Sequence, residues 1–239
     1  MATSSSNHHA DISQVTNLTL DAFRLACSGA TAAAEAIATG SEEALKALRN
    51  CEISLDGSDR DVDEVSTSII THVSESEARE LLACMKIMVA LERIGDLLLS
   101  FGNRVESVGP RIAAEDKKVL ETMATRLESM LSEVESAYRE RNLDRAVTVL
   151  RSDAEMDRLR NLIFLHHLET HDQQRHSESF HVLFMAQGLE RGGDHAKNIA
   201  EEVCHLVSGR TVRHILRSYD LPDEKLFLEH LRAQHRDKQ

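Results

Sequence analysis

The hexapeptide Leu91-Glu92-Arg93-Ile94-Gly95-Asp96 recurs as Leu189-Glu190-Arg191-Gly192-Gly193-Asp194, and only its fourth place differs. A five-of-six match about a hundred residues apart marks an internal duplication, and a fold that must be built twice is the tightest limit on this chain. What is duplicated is helix. Only two prolines, Pro110 and Pro222, interrupt 239 residues rich in Ala, Leu, Glu and Arg, a composition that favours helix throughout.

Caps and stops divide the chain. Helices are expected at 12–39, 41–73, 75–107, 111–140, 142–170 and 176–208. "SEEA" at Ser41 and "SESEA" at Ser74 supply starts, and Gly40, Gly109-Pro110 and Gly209 supply stops. The opening "MATSSSNHHA" is polar, low in complexity and expected to be disordered, and "LPDEKLFLEHLRAQHR" (221–236) reads as a short extra helix. The fold class is therefore all-α: a three-helix unit repeated in tandem, residues 12–109 and 110–210, between a disordered 1–11 and an extension at 211–239. Helical periodicity does not say how the two halves pack.

Charge and cysteine usage exclude several functions. A net charge of −12 lacks the basic footprint that nucleic acid needs, but it suits cations. From Arg210 onward seven Lys/Arg face five Asp/Glu, a slight basic bias. Cys27, Cys51, Cys84 and Cys204 form no CxxC pair, so neither a disulfide framework nor a cysteine zinc site is indicated. The most apolar stretch, "LLACMKIMVALERIGDLLL", is broken by Lys86, Glu92, Arg93 and Asp96, and no run reaches the ~18 residues of a membrane span. A soluble, cytoplasmic protein is expected.

Both copies of the hexapeptide carry two acids four apart, Glu92 with Asp96 and Glu190 with Asp194. The pairs Glu52–Asp56 and Asp153–Asp157, on the preceding helices, share that spacing. It places both carboxylates on one helix face. Among 40 acidic residues such pairs also arise by chance, so their placement matters more. Around the third helix Arg79, Lys86 and Arg93 fall on one polar strip. Glu92 and Asp96 share a line with Leu81, Met85, Met88 and Leu99, which predicts that they face inward. Around the sixth, Gln187, Glu190, Asp194, Asn198, Glu201 and His205 form a polar seam that is equally compatible with a solvated face.

Gly95 and Gly193 precede the aspartates. A glycine inside a helix costs about 1 kcal/mol relative to alanine, and its recurrence points to a close approach by another backbone or a bound group. Carboxylates meeting across a dry seam need compensation. A divalent or trivalent ion supplies it, with Mg, Mn, Fe, Ca or Zn suited to carboxylate oxygens.

Other motifs are weaker. His166, His167, His171, His176 and His181 gather where the fifth and sixth helices meet and read as a solvated loop cluster. Cys204 reads as core packing. There is no nucleophile–base signature, no P-loop and no dinucleotide turn.

"LERIGD", "LERGGDHAKNIAEEV" and "LVSGRTVRH", with the (E/D)xxxD pairs Glu52–Asp56 and Asp153–Asp157, resemble the PhoU family of bacterial phosphate-signalling regulators. The resemblance covers about residues 12–214 and is most continuous from Leu189 to His214. It implies two three-helix bundles related by pseudo-twofold symmetry. It also implies a multinuclear metal site, often iron or zinc, on each acidic face, with Glu52, Asp56, Glu92 and Asp96 in one half and Asp153, Asp157, Glu190 and Asp194 in the other. Asn198 and Glu201 would be additional ligands. The implied protein is a dimer-prone adaptor rather than an enzyme. It would couple the ATPase of a phosphate ABC transporter to a sensor histidine kinase and repress the phosphate-starvation response.

The chain departs from that pattern in places. Asn103 and Arg104 stand where the second copy has Glu201 and Glu202, which ranks the second half as the fuller site. Gly57-Ser58 would interrupt the second helix, and the tail from Arg217 runs past the usual family end. Two alternatives remain: a metal-free helical adaptor, and a ferritin-like di-metal oxidase. The oxidase needs Glu-x-x-His on two helices, whereas Glu178…His181 and Glu202…His205 both lie on the sixth.

Overall fold

The computed structural model describes residues 2–169 and 176–209, with side chains from residue 11 onward except those of 153, 168, 169, 176 and 177. The extension and its expected short helix, and His171, lie outside the described residues. Six helices follow one another: α1 (Ala2–Thr39), α2 (Glu42–Ile69), α3 (Glu75–Val108), α4 (Ala114–Glu140), α5 (Leu143–Glu169) and α6 (His176–Ser208). A single 3-10 turn, Gly109–Arg111, joins the two halves.

Local chemistry sets most of the ends. The Ser41 hydroxyl accepts from the Ala44 amide to start α2. Ser74 and Glu77 cap one another's backbone amides reciprocally to start α3. Gly40 and Gly209 take left-handed φ values of 72° and 74° just past α1 and α6, a conformation that favours glycine. At the end of α4 a non-glycine, Arg141, adopts it at φ 53°. Contacts hold it there: its guanidinium lies 4.6 Å from the Tyr138 ring centroid and bonds Glu80 of α3.

Two expectations need correction. α1 starts at Ala2 rather than near residue 12, so the polar opening is helical backbone instead of disordered chain. α2 runs unbroken through Gly57 and Ser58. Ser58 satisfies its hydroxyl on the Ser54 carbonyl at 3.0 Å, and a lone glycine weakens a helix without ending it.

Within each half the three helices pack on one another, α1–α2–α3 and α4–α5–α6. The halves join where each inner helix meets its own copy, α1 on α4 and α3 on α6. That is the arrangement a pseudo-twofold axis requires. α2 and α5 lie outside, packed on their own half. One contact pair shows the symmetry with its chemistry exchanged. Lys86 Nζ of α3 reaches Glu202 Oε2 of α6 at 2.9 Å. At the matching places, 98 residues on from Lys86 and 98 back from Glu202, Phe184 of α6 receives the Arg104 guanidinium of α3 at 4.7 Å.

One apolar core runs through both halves. Small residues bring α1 close to its neighbours: Ala22, Ala26, Ala30, Ala33 and Ala36 are all 0% exposed. Larger side chains fill the rest, and full burial of Leu48, Leu55, Leu81 or Leu91 contributes about 1.5–3 kcal/mol each. Phe23 of α1 meets Tyr138 of α4 with ring centroids 6.0 Å apart. Tyr138 Oη donates to Glu80 Oε1 at 2.8 Å and lies 3.1 Å from Cys84 Sγ, tying the end of α4 to α3. Burial pushes the Cys51 thiol up to about 11 and the Cys204 thiol up to about 12, so both act as apolar filling, as expected for Cys204. No helix among the described residues is long and apolar enough to cross a membrane.

Two glycine substitutions separate packing from propensity. A Cβ at Gly29 would lie 2.6 Å from Cys51 Sγ and 3.0 Å from Leu98 Cδ1, whereas one at Gly57 meets nothing within 4 Å. Gly29→Ala is expected to cost about 1–3 kcal/mol, and Gly57→Ala to add about 0.4–1 kcal/mol. Urea denaturation midpoints of the two variants check both signs.

Candidate functional site: two acidic faces

The first face lies along the seam between α2 and α3. Glu52, Asp56, Asp59 and Asp63 follow one another at steps of four, three and four, which draws one acidic stripe down α2. α3 contributes Glu92 and Asp96. Gly95 brings the helices together, since a Cβ there would lie 2.8 Å from Leu55 Cδ1 and 3.6 Å from Glu52 Cα. The close backbone approach expected from this glycine is therefore present.

Proximity shows in the titration of these groups. Burial, then Asp56 and Asp96, raise the Glu52 carboxyl above its ordinary value. Burial, then Asp96, raise Glu92, with Asp56 and Asp59 adding and Arg93 opposing. Burial, then Asp63 and Asp56, raise Asp59. Arg93, on α3 itself and largely exposed, lies 3.4 Å from both Glu92 Oε2 and Asp96 Oδ2. Arg60 donates to the Asp56 backbone carbonyl.

The inward orientation expected for Glu92 and Asp96 is not found as drawn. Glu92 is partly buried and Asp96 is 46% exposed. The pair sits at the edge of the apolar arc, where α3 meets outer α2, rather than over the shared core.

The second face lies between α5 and α6, with Asp157, Glu190 and Asp194; the Asp153 side chain lies outside the described residues. Gly193 again permits close packing, its Cβ position 3.3 Å from Met156 Cγ. Here the chemistry differs. Arg160 Nη1 lies 2.9 Å from Glu190 Oε1 and Nη2 lies 3.3 Å from Asp157 Oδ1. The other Glu190 oxygen accepts from Gln187 Nε2. Glu190 is only 10% exposed and Arg160 24%. Burial raises the Glu190 carboxyl, Arg160 opposes, and Asp194 and Asp157 add to the rise.

Asp194 is exposed, and Asn198 lies in the groove that α6 shares with α3, beside Lys86, His195 and Glu202. Glu201 is half-buried near Cys204, whose thiol it helps raise. Among the described residues no three His, Cys, Asp or Glu side chains are arranged to hold a metal ion. Tested against a hard cation, the first face matches in donor chemistry alone: its donors are oxygen only, and among the described residues no cationic group reaches across from α2 and Arg93 of α3 is the one guanidinium paired with them. The second fits less well, because Arg160 crosses from α5 to the largely buried Glu190 of α6, whereas Arg93 stays on α3 and is mostly exposed.

The remaining motifs have other partners. Glu202 is held by Lys86 and Glu178 by Arg111 at 3.0 Å, so the two Glu-x-x-His pairs are occupied by ion pairs. His166 is exposed as expected, but His167 is not solvated. It is held between helices, with Nδ1 3.0 Å from Ser179 Oγ and Nε2 3.2 Å from the buried Asp116. Sequence reasoning missed Asp59, Asp63 and Arg160. Glu52 to Asp59 and Asp153 to Arg160 are both steps of seven, so extending the repeat register by one turn would have found the key pair.

Comparison with known proteins agrees with the architecture. Residues 120–203 match the PhoU domain model. The phosphate-specific transport system accessory protein PhoU homolog of Rhizobium meliloti is 31% identical over 160 residues, covering 65% of this chain and 68% of that one. The protein of the same name from Zymomonas mobilis is 34% identical over 147 residues, 61% of this chain and 62% of that one, a little under two thirds of its length. The crystal structure of PhoU from Pseudomonas aeruginosa superposes with a TM-score of 0.78 at 23% identity, covering 84% of this chain and 99% of that one. These define a duplicated all-α bundle of the PhoU fold. The chain belongs to the PhoU family.

The first face makes a pH prediction for metal-free protein. Glu92 has a raised folded-state value, so what it contributes is fully present below the unfolded value of about 4.3 and is lost as pH rises through the folded one. Glu92→Gln removes that loss. The variant is expected to gain about 0.2–0.5 kcal/mol over the parent at pH 7 and nothing at pH 4, read from denaturation midpoints in EDTA.

Proposed function

We propose that this chain is a regulator of phosphate uptake and signalling, a non-catalytic cytoplasmic adaptor between the ATPase of a phosphate ABC transporter and a sensor histidine kinase, which restrains the phosphate-starvation response. One observation carries the reading: a PhoU-family fold whose two halves each turn an outer acidic seam away from a shared core. Named relatives are accessory proteins of phosphate-specific transport. Each seam runs along the edge of an outer helix, with Asp96 and Asp194 exposed where a partner can reach them, and among the described residues no nucleophile–base pair is built into either.

On this reading the first face holds divalent or trivalent cations, drawn from Fe, Zn, Mn or Mg, through Glu52, Asp56, Asp59, Glu92 and Asp96. A bound cation supplies positive charge that relieves the repulsion among these carboxylates. α2 and α3 hold the donors on one side of the seam, and Gly95 keeps their backbones close enough for both helices to contribute. The protein acts as a homodimer.

The test uses cells grown in ample phosphate. Deleting the gene is expected to raise expression of a phosphate-starvation reporter several-fold, and the full chain to restore repression. Affinity capture is expected to recover the transporter ATPase or a sensor kinase. Unchanged reporter expression together with recovery of neither protein overturns the reading.

A further inference from the structure

We infer that Arg160 is the resident cation of the second acidic face, so that this face is complete without a metal ion and the two halves of the duplication are chemically unequal. The inference depends on the regulatory reading only for the cation assigned to the first face.

The contacts carry the argument. Arg160 spans from Glu190 at 2.9 Å to Asp157 at 3.3 Å, so one planar group bridges α5 and α6 where a metal would bridge them. Gln187 engages the second Glu190 oxygen. Both oxygens of this largely buried carboxylate are thus already engaged. An incoming metal would have to expel the guanidinium and leave it beside a second positive charge, partly withdrawn from water, which is the costly way to break an ion pair.

The repeat register gives an independent line. Asp59 and Arg160 occupy the same place in the two copies, seven residues past Glu52 and Asp153. There the first half has a carboxylate facing Asp56 and Glu92, and the second has its neutralising opposite. The extra acids of the second copy do not redress this, since Glu202 is engaged by Lys86 of α3. The ranking drawn from Asn103 and Arg104 is thereby turned round: by charge, the first half is the one left to recruit a cation.

The experiment uses EDTA-stripped full-length protein with Mn²⁺ as the probe, followed by electron paramagnetic resonance of the free ion, alongside thermal melts. Arg160→Gln is expected to lower Tm by about 2–4 °C, and adding Glu190→Gln to it to recover at least half of that loss. Arg160→Asp, which installs the first repeat's residue, is expected to add Mn²⁺ uptake beyond the parent's, and Glu190→Gln to remove that addition. Any uptake by the parent is expected to fall with Glu92→Gln and to be untouched by Glu190→Gln.

Loss of the parent's uptake on Glu190→Gln overturns the inference, as does an Arg160→Gln protein that melts no lower than the parent. A parent that takes up no Mn²⁺, with the Arg160 variants behaving as described, removes the cation from the regulatory reading and supports the inference.

Discussion

Close approach between helices is what the rest of this molecule depends on. The alanines of α1 and the glycines at 29, 95, 102, 192 and 193 leave little or no side chain where a neighbouring helix passes. The four inner helices can therefore share one core across the pseudo-twofold axis. The same tight spacing at Gly95 forces the acids of α2 and α3 together on the outside of that seam. Packing and charge are thus one design: the geometry that buries Leu55 also crowds Glu52, Asp56 and Asp96.

The two seams answer that crowding in different ways. In the first, the exposed Arg93 offsets the repulsion only in part, and burial and neighbouring acids raise three carboxyls above their ordinary values. In the second, a guanidinium joins the group, and burial raises Glu190 against its pull. Duplication supplied two similar scaffolds; a change of sign from Asp59 to Arg160, with Phe164 in the place of Asp63, separates their chemistry. Like the exchanged Lys86–Glu202 and Arg104–Phe184 contacts, it shows that matching places in the repeats keep their geometry more faithfully than their residue types.

Much of the architecture was legible because helix ends are decided locally. Ser41, Ser74, Gly40, Gly209 and the Gly109-Pro110 step each act within a few residues, so their meaning does not depend on the tertiary fold. The duplication was legible from the hexapeptide alone. Gly57 misled because its cost is real but small, and the twenty-eight-residue helix around it absorbs it. The expected inward turn of Glu92 and Asp96 failed because one helical wheel cannot tell a core-facing arc from its edge. That distinction is set by where α2 crosses α3. Arg160 escaped notice for a related reason: its role appears only when two helices and both repeats are laid in register. His167 became legible only once Asp116 and Ser179 were brought to it from α4 and α6.

α2 and α5 each rest chiefly on their own half, while the other four helices grip one another across the axis. Free energy of opening is accordingly unequal along the chain: backbone amides of the two peripheral rods exchange with solvent through partial detachment, those of the central four only when the whole molecule comes apart.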